Sequence, residues 1–188
     1  MNDKPGVVLV APGFEEVELT APVDILRRLG IKVTLAGVQG LTVKGAHDLT
    51  VKADVLLVDV DAEQYRGVIL PGGAASWTLR ETSAVLSLVR QMHKEGKLVA
   101  AICAAPIALE AAGVLAGRQI TCYPAPDVRK DVASAKAVLE KQVVVDGNII
   151  TGRGPAAALD FGYALGAYLG CAQQVPKLKE DMCYKVSE

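Results

Sequence analysis

The chain has 188 residues, 51% of them hydrophobic and 22% charged, and a formal net charge of −1. So apolar a composition argues against disorder, and the near-neutral charge leaves no electrostatic footprint for nucleic acid. A chain of this length buries roughly 70% of the surface it exposes when unfolded, so one domain over residues 1–188 is expected. The run "GVVLVAP" (6–12) is far too short to span a bilayer and bears the mark of a buried parallel strand: apolar, β-branched, bounded by glycine and proline. In "GFEEVELTAPVDILRRLG" (13–30), Val17, Ala21, Ile25 and Leu29 recur every four residues and predict a helix, with Pro22 either bending it or leaving its start in a turn.

"IKVTLAGV" (31–38) is a second strand, "LTVKG" and "HDLTVKAD" (41–54) a small hairpin, and "VLLVDV" (55–60) a third strand. "GVILPGG" (67–73) repeats the buried-strand pattern and ends in a glycine pair, and "SAVLSLVRQMHKEGK" (83–97) is an amphipathic helix with a glycine stop. "LVAAIC" (98–103), "APIALEAAGVL" (105–115) and "RQITCY" (118–123) read as strand, helix and strand, and "DVRKDVASAKAVLEK" (127–141) as a further helix. "KQVVVDGNIITGRG" (141–154) is a hairpin turning at Asp146-Gly147; "PAAALDFGYALGAYLG" (155–170) and "QVPKLKEDMCY" (174–184) close the chain as helices. Apolar strands alternating with helices need cover on both sheet faces, which predicts an α/β sandwich around a mostly parallel sheet.

In such a sheet ligands gather beyond the carboxyl ends of the strands. "APGFEEVE", "LPGGAAS", "AAICAAP" and "CYPAP" all fall there. Cys103 sits between a strand and a helix start, where backbone N–H groups and aligned peptide dipoles favour thiolate over thiol. A reactive cysteine and an inert core thiol both fit this pattern. The amide of Ala104 and one in Gly72-Gly73-Ala74 are placed to face an anionic intermediate. Glu15, Glu16 and Glu18 either complement the positive end of the first helix, or one turns inward as hydrogen-bond donor or general base beside the thiol.

"LPGG" has neither the G-x-G-x-x-G order of a dinucleotide loop nor a G-K-[ST] ending, so no nucleotide cofactor is expected. Widely spaced Cys103, Cys122, Cys171 and Cys183 form neither a disulfide framework nor a CxxC pair. With His47 and His93 the only histidines, no metal is expected either. No basic leader precedes an apolar stretch, so a cytoplasmic location without membrane partners is the expectation. Tyr123 is a candidate wall of the crevice, and Arg153, before Gly154-Pro155, either binds substrate or pairs with an acidic side chain.

Taken together in this order, "APGFEEVELTAPVDILRRLGIKVTLAG", "VILPGG", "AAICAAP", "ITCYP" and "GRGPAAALDF" resemble the DJ-1 branch of the DJ-1/ThiJ/PfpI superfamily over nearly the whole chain. The resemblance implies a flavodoxin-like three-layer sandwich, usually a homodimer, with Cys103 at a nucleophile elbow and Glu18 as the acidic side chain in contact with it. It places Gly73 and Ala104 at the anion pocket and Arg153 and Pro155 on the pocket side. The sequence departs from the family in two places: Tyr123 stands where many relatives have histidine, and Ala104 where PfpI-like proteases and amidases have theirs. Tyrosine, with a reference pKa near 10, does not replace histidine as a neutral-pH base. A Cys-His hydrolase is therefore disfavoured and a cysteine and carboxylate pair remains.

The functions that follow from the resemblance are a redox-responsive protein protecting against oxidative or carbonyl stress, a cofactor-independent glyoxalase or deglycase acting on methylglyoxal, glyoxal or their early adducts, and a chaperone-like interaction protein. Small reactive aldehydes or oxidants are the expected ligands.

Overall fold

The computed structural model describes residues 4–184, so the ends of the 1–188 span, 1–3 and 185–188, lie outside the described residues. Seven strands form the main sheet: β1 (Gly6–Val10), β2 (Val33–Gly37), β5 (Val55–Leu56), β6 (Gly67–Leu70), β7 (Leu98–Ile102), β10 (Val143–Asp146) and β11 (Ile149–Gly152). Their spatial order is β10-β11-β7-β6-β1-β2-β5, and every neighbour is parallel except the β10–β11 hairpin. Buried parallel strands need apolar residues on both faces, and β1, β6 and β7 are buried at every position.

Helices cover both faces and give the α/β sandwich that the strand and helix alternation predicts. On one side α1 (Glu16–Arg28) packs closely on α6 (Ala158–Gly166). Small residues permit this approach: a Cβ on Gly162 would sit 2.8 Å from Ile25 Cδ1 and 3.1 Å from Pro22 Cα. On the other side α2 (Ala75–Glu81), α3 (Ser83–Lys94) and α4 (Pro106–Ala111) pack on one another and on the sheet. The chain adds β2 and β5 to one side of β1, then β6, β7 and β11 to the other, so the strand order reverses between β1 and β6. In an open α/β sheet a crevice opens at such a reversal.

Several sequence expectations are corrected. The buried stripe of α1 is not Val17-Ala21-Ile25-Leu29, since Val17 is 48% exposed; it includes Glu18, Leu19, Pro22, Val23, Ile25 and Leu26. Pro22 lies within a continuous helix and merely withholds the N–H that the Glu18 carbonyl would accept. "VLLVDV" is strand only over β5, because the chain turns into a 3₁₀ segment at Leu57–Asp59. "RQITCY" contributes only β8 (Gln119–Ile120), outside the main sheet, paired in parallel with β9 (Ala137–Val138). The predicted helix over 127–141 is helical only within α5 (Pro126–Lys130). In contrast, α2 was missed by periodicity because its seven residues span barely two turns.

The remaining elements follow the pattern. β3 (Thr42–Lys44) and β4 (Thr50–Lys52) form the small hairpin, the Asp146-Gly147 turn joins β10 to β11 with Gly147 at φ +60°, and α7 (Val175–Asp181) is the last helix. Among the described residues no helix is long and apolar enough to cross a membrane.

Candidate active site

The crevice at the β1/β6 reversal is built by the loops that follow β1, β6 and β7. Cys103 follows β7 directly, with φ at +64°, a left-handed conformation that non-glycine residues seldom adopt. Two main-chain hydrogen bonds hold this elbow: Cys103 N–H donates to Gly152 O at 2.9 Å, and Tyr123 N–H donates to Cys103 O at 2.8 Å. The segment containing Tyr123 thus reaches the crevice although it is not a strand of the main sheet. Such strained backbone clusters at functional sites when its surroundings over-determine it.

Glu18 comes from the buried stripe of α1 and has no exposed surface. Its Oε2 accepts the Gly72 N–H at 2.9 Å, and its Oε1 has no well-aligned hydrogen-bond partner in the protein. The carboxyl lies beside the Cys103 side chain. Gly72 makes room for both: a Cβ there would come 2.5 Å from Glu18 Oε2 and 2.6 Å from Cys103 Cβ. Gly73, at φ +79°, is constrained on both counts, because a Cβ would also lie 2.5 Å from Gly13 O and 2.6 Å from Glu15 N.

Burial pushes the Glu18 carboxyl up to about 7, against the lowering effects of the Cys103 side chain and the Gly72 N–H. Burial also pushes the Cys103 thiol up to about 12, helped by the Glu18 charge and hydrogen bond and opposed by the Ala104 and Gly73 amides. The amides act in the expected direction, but desolvation and an ionised Glu18 outweigh them. Protonation of Glu18 removes the charge that opposes a thiolate at Cys103.

Cys103, Gly73 and Ala104 line a cleft of about 300 Å³ together with Tyr123 and Pro155. Glu15, one of the three glutamates with a candidate place beside the thiol, also lines it, as do Trp77 of α2 and Asp127, to which the sequence pattern assigns no role in the cleft. Asp127 follows the "CYPA" segment closely enough to have been a signal; Trp77 lay in the unrecognised helix. Gly72 stands behind the cleft, against Glu18. Arg153 lines a neighbouring hollow that shares Tyr123 and Pro155, and its guanidinium pairs with Glu140, which also pairs with Arg129.

Glu15, Glu16 and His47 could in principle present ligand atoms to a metal ion. Their observed bonds are internal: Glu16 accepts the His47 N–H at 2.6 Å and meets His47 Nδ1 at 2.9 Å. Neither histidine lines the Cys103 cleft. The other thiols are set apart from it, Cys122 and Cys171 buried and Cys183 exposed.

The DJ-1/PfpI family model matches residues 6–167. The chain is 39% identical over 181 residues to protein dj-1beta of Drosophila melanogaster, covering 95% of this chain and 96% of that one. It is 39% identical over 149 residues to a deglycase of Pyrococcus horikoshii, covering 79% of this chain and 89% of the archaeal one. The crystal structure of Drosophila melanogaster DJ-1beta aligns with a TM-score of 0.91 at 37% identity, over 98% of this chain and 100% of that one. An oxidized Toxoplasma gondii DJ-1 aligns with a TM-score of 0.88 at 31% identity, over 97% of this chain and 100% of the parasite's.

Proposed function

Because this chain belongs to the DJ-1/PfpI family, we propose that it is a redox-responsive protein that protects against oxidative or carbonyl stress through Cys103. The observation that carries the reading is the fully buried Glu18 beside the elbow cysteine, with one carboxyl oxygen on Gly72 and the other without a well-aligned protein partner. In the first step the Cys103 sulfur attacks a hydroperoxide. An S–O bond forms as the O–O bond breaks, water or alcohol leaves, and sulfur loses two electrons. A second equivalent gives the sulfinate, whose oxygens are acceptors for protonated Glu18 and for the Gly73 and Ala104 amides. The ligands are small oxidants or aldehydes, and the working unit in the cytoplasm is a homodimer.

Intact mass after graded peroxide tests this, with peptide mapping to locate the added oxygen. The expected product carries two oxygens on Cys103 ahead of Cys122, Cys171 and Cys183. Equal oxidation of all four thiols would overturn the reading.

A second reading, a cofactor-independent glyoxalase or deglycase, is favoured by a carboxyl raised to about 7 beside a nucleophile, and by the similarity to a protein named as a deglycase. Cys103 sulfur bonds to the aldehyde carbon of methylglyoxal, and the resulting oxygen charge faces the Gly73 and Ala104 amides. Glu18 takes a proton from that carbon and returns one to its neighbour. Water then cleaves the thioester, so methylglyoxal and water leave as lactate. Lactate measured directly decides the matter: turnover is lost in Cys103→Ala if the reading holds, and equal turnover in the variant rules it out.

A further inference from the structure

We infer that the Cys103 cleft selects its electrophile by charge, admitting compounds that carry a protonated amine or guanidinium and disfavouring anionic ones. The inference rests on Cys103 being the nucleophile and adds the chemistry of what reaches it. Two carboxylates from different elements line the cleft, Glu15 before α1 and Asp127 in the first turn of α5. No lysine, arginine or histidine lies among its described lining residues. Arg153 and Arg129 nearby pair with Glu140, whereas His47, outside the lining, bonds to Glu16 and holds its Nδ1 3.6 Å from Glu15, so that Glu15 is in part offset when His47 is protonated. Asp127 forms no ion pair among the described residues.

Two large aromatic side chains line the same cleft and stay open to solvent, Trp77 at 40% and Tyr123 at 44% exposure. Exposed aromatic faces beside carboxylates suit a cation, through the ring quadrupole and the charges together. The cleft is thus bipolar. Its floor presents the Gly73 and Ala104 amides to a developing oxyanion, while its rim presents carboxylates and ring faces to a positive substituent. A molecule with a carbonyl at one end and an ammonium or guanidinium at the other matches both ends. A 2-oxoaldehyde adduct on a basic group has that form, whereas an anionic 2-oxo acid opposes the rim.

Methanethiosulfonates bearing a trimethylammonium, a neutral or a sulfonate head test this on the full chain. In each case Cys103 sulfur bonds to the reagent's sulfenyl sulfur and methanesulfinate leaves, so the reagents differ chiefly in the charge they carry. Rates are read at Cys103 by peptide mass, because Cys183 is exposed, and divided by the rate with a small free thiol. The expected cation-to-anion ratio is about tenfold or more at low salt, falling toward unity as salt shortens the Debye length to about 3 Å at 1 M. Glu15→Gln with Asp127→Asn cuts the ratio severalfold, read within the variant so that any common change in Cys103 reactivity cancels. Trp77→Ala slows the cationic reagent more than the neutral one.

Equal normalised rates for the two charged reagents, or a ratio indifferent to the paired carboxamide variant, would overturn the charge selection and leave the reactive cysteine standing. Failure of all three reagents to modify Cys103 would overturn both.

Discussion

Glu18 and Cys103 occupy one small volume whose protons are linked to stability. A carboxyl raised to about 7 from an ordinary 4.5 binds its proton more tightly in the folded chain than in the unfolded one. The resulting stability is fully present below pH 4.5 and is lost as pH rises through 7. Wild type should therefore lose on the order of 3 kcal/mol between those limits. Glu18→Gln should abolish that dependence, as followed by urea midpoints across pH. Gly72 has a different constraint. Gly72→Ala drives a methyl into Glu18 and Cys103, with an expected cost of about 1–3 kcal/mol and slowed peroxide oxidation of Cys103. Arg153→Ala, by contrast, should leave Cys103 oxidation within about twofold of wild type, because the guanidinium pairs with Glu140, Arg153 lines the adjoining hollow, and a partly exposed ion pair has a small effect.

Among the elements, α1 does most to define the site. It seats Glu18 under the crevice only while its buried face is clamped on α6, where Gly162 admits Pro22 and Ile25 at close range. Gly162→Leu should separate the two helices and destabilise the chain by about 2 kcal/mol or more, seen as a lowered urea midpoint. The same helix shows why sequence periodicity misplaces a face. Val17-Ala21-Ile25-Leu29 is the more apolar stripe on paper, yet the helix buries Glu18-Pro22-Ile25, the stripe containing a glutamate. A carboxyl on a buried stripe reads as an error in an amphipathic pattern unless a partner is known, and here Gly72 and Cys103, distant in sequence, supply it. Periodicity fails for α2 and β9 and overextends β8 through brevity, since two-residue strands and a seven-residue helix hold too few repeats to establish a period.

At the scale of the whole molecule, the sheet is rigid where the site needs it to be. β1, β6 and β7 are central and buried throughout, so their amides should exchange slowest, near the global unfolding free energy. The 121–136 stretch, which brings Tyr123 and Asp127 to the cleft, lies outside the main sheet and should exchange faster. Hydrogen exchange followed by mass spectrometry checks that order, and similar protection in the two regions would contradict it.

The sequence alone determined the central strands and the longer helices, because buried parallel strands demand unbroken apolar runs and glycine and proline mark where those runs end. It also determined that Cys103 stands at a strand-to-helix junction, since the junction is a change of period within a few residues. The residue pattern left open which glutamate turns inward and the family resemblance pointed to Glu18, but that Gly72 leaves room for it beside the thiol and that Arg153 pairs with Glu140 were decided only in the tertiary structure. So was the charge around the cleft, for Glu15, Trp77 and Asp127 belong to three separate segments and meet only where the strand order reverses between β1 and β6. Periodicity reports the face of one element, whereas a site is an intersection of several, and the burial that sets the protons of Glu18 and Cys103 arises only when they pack.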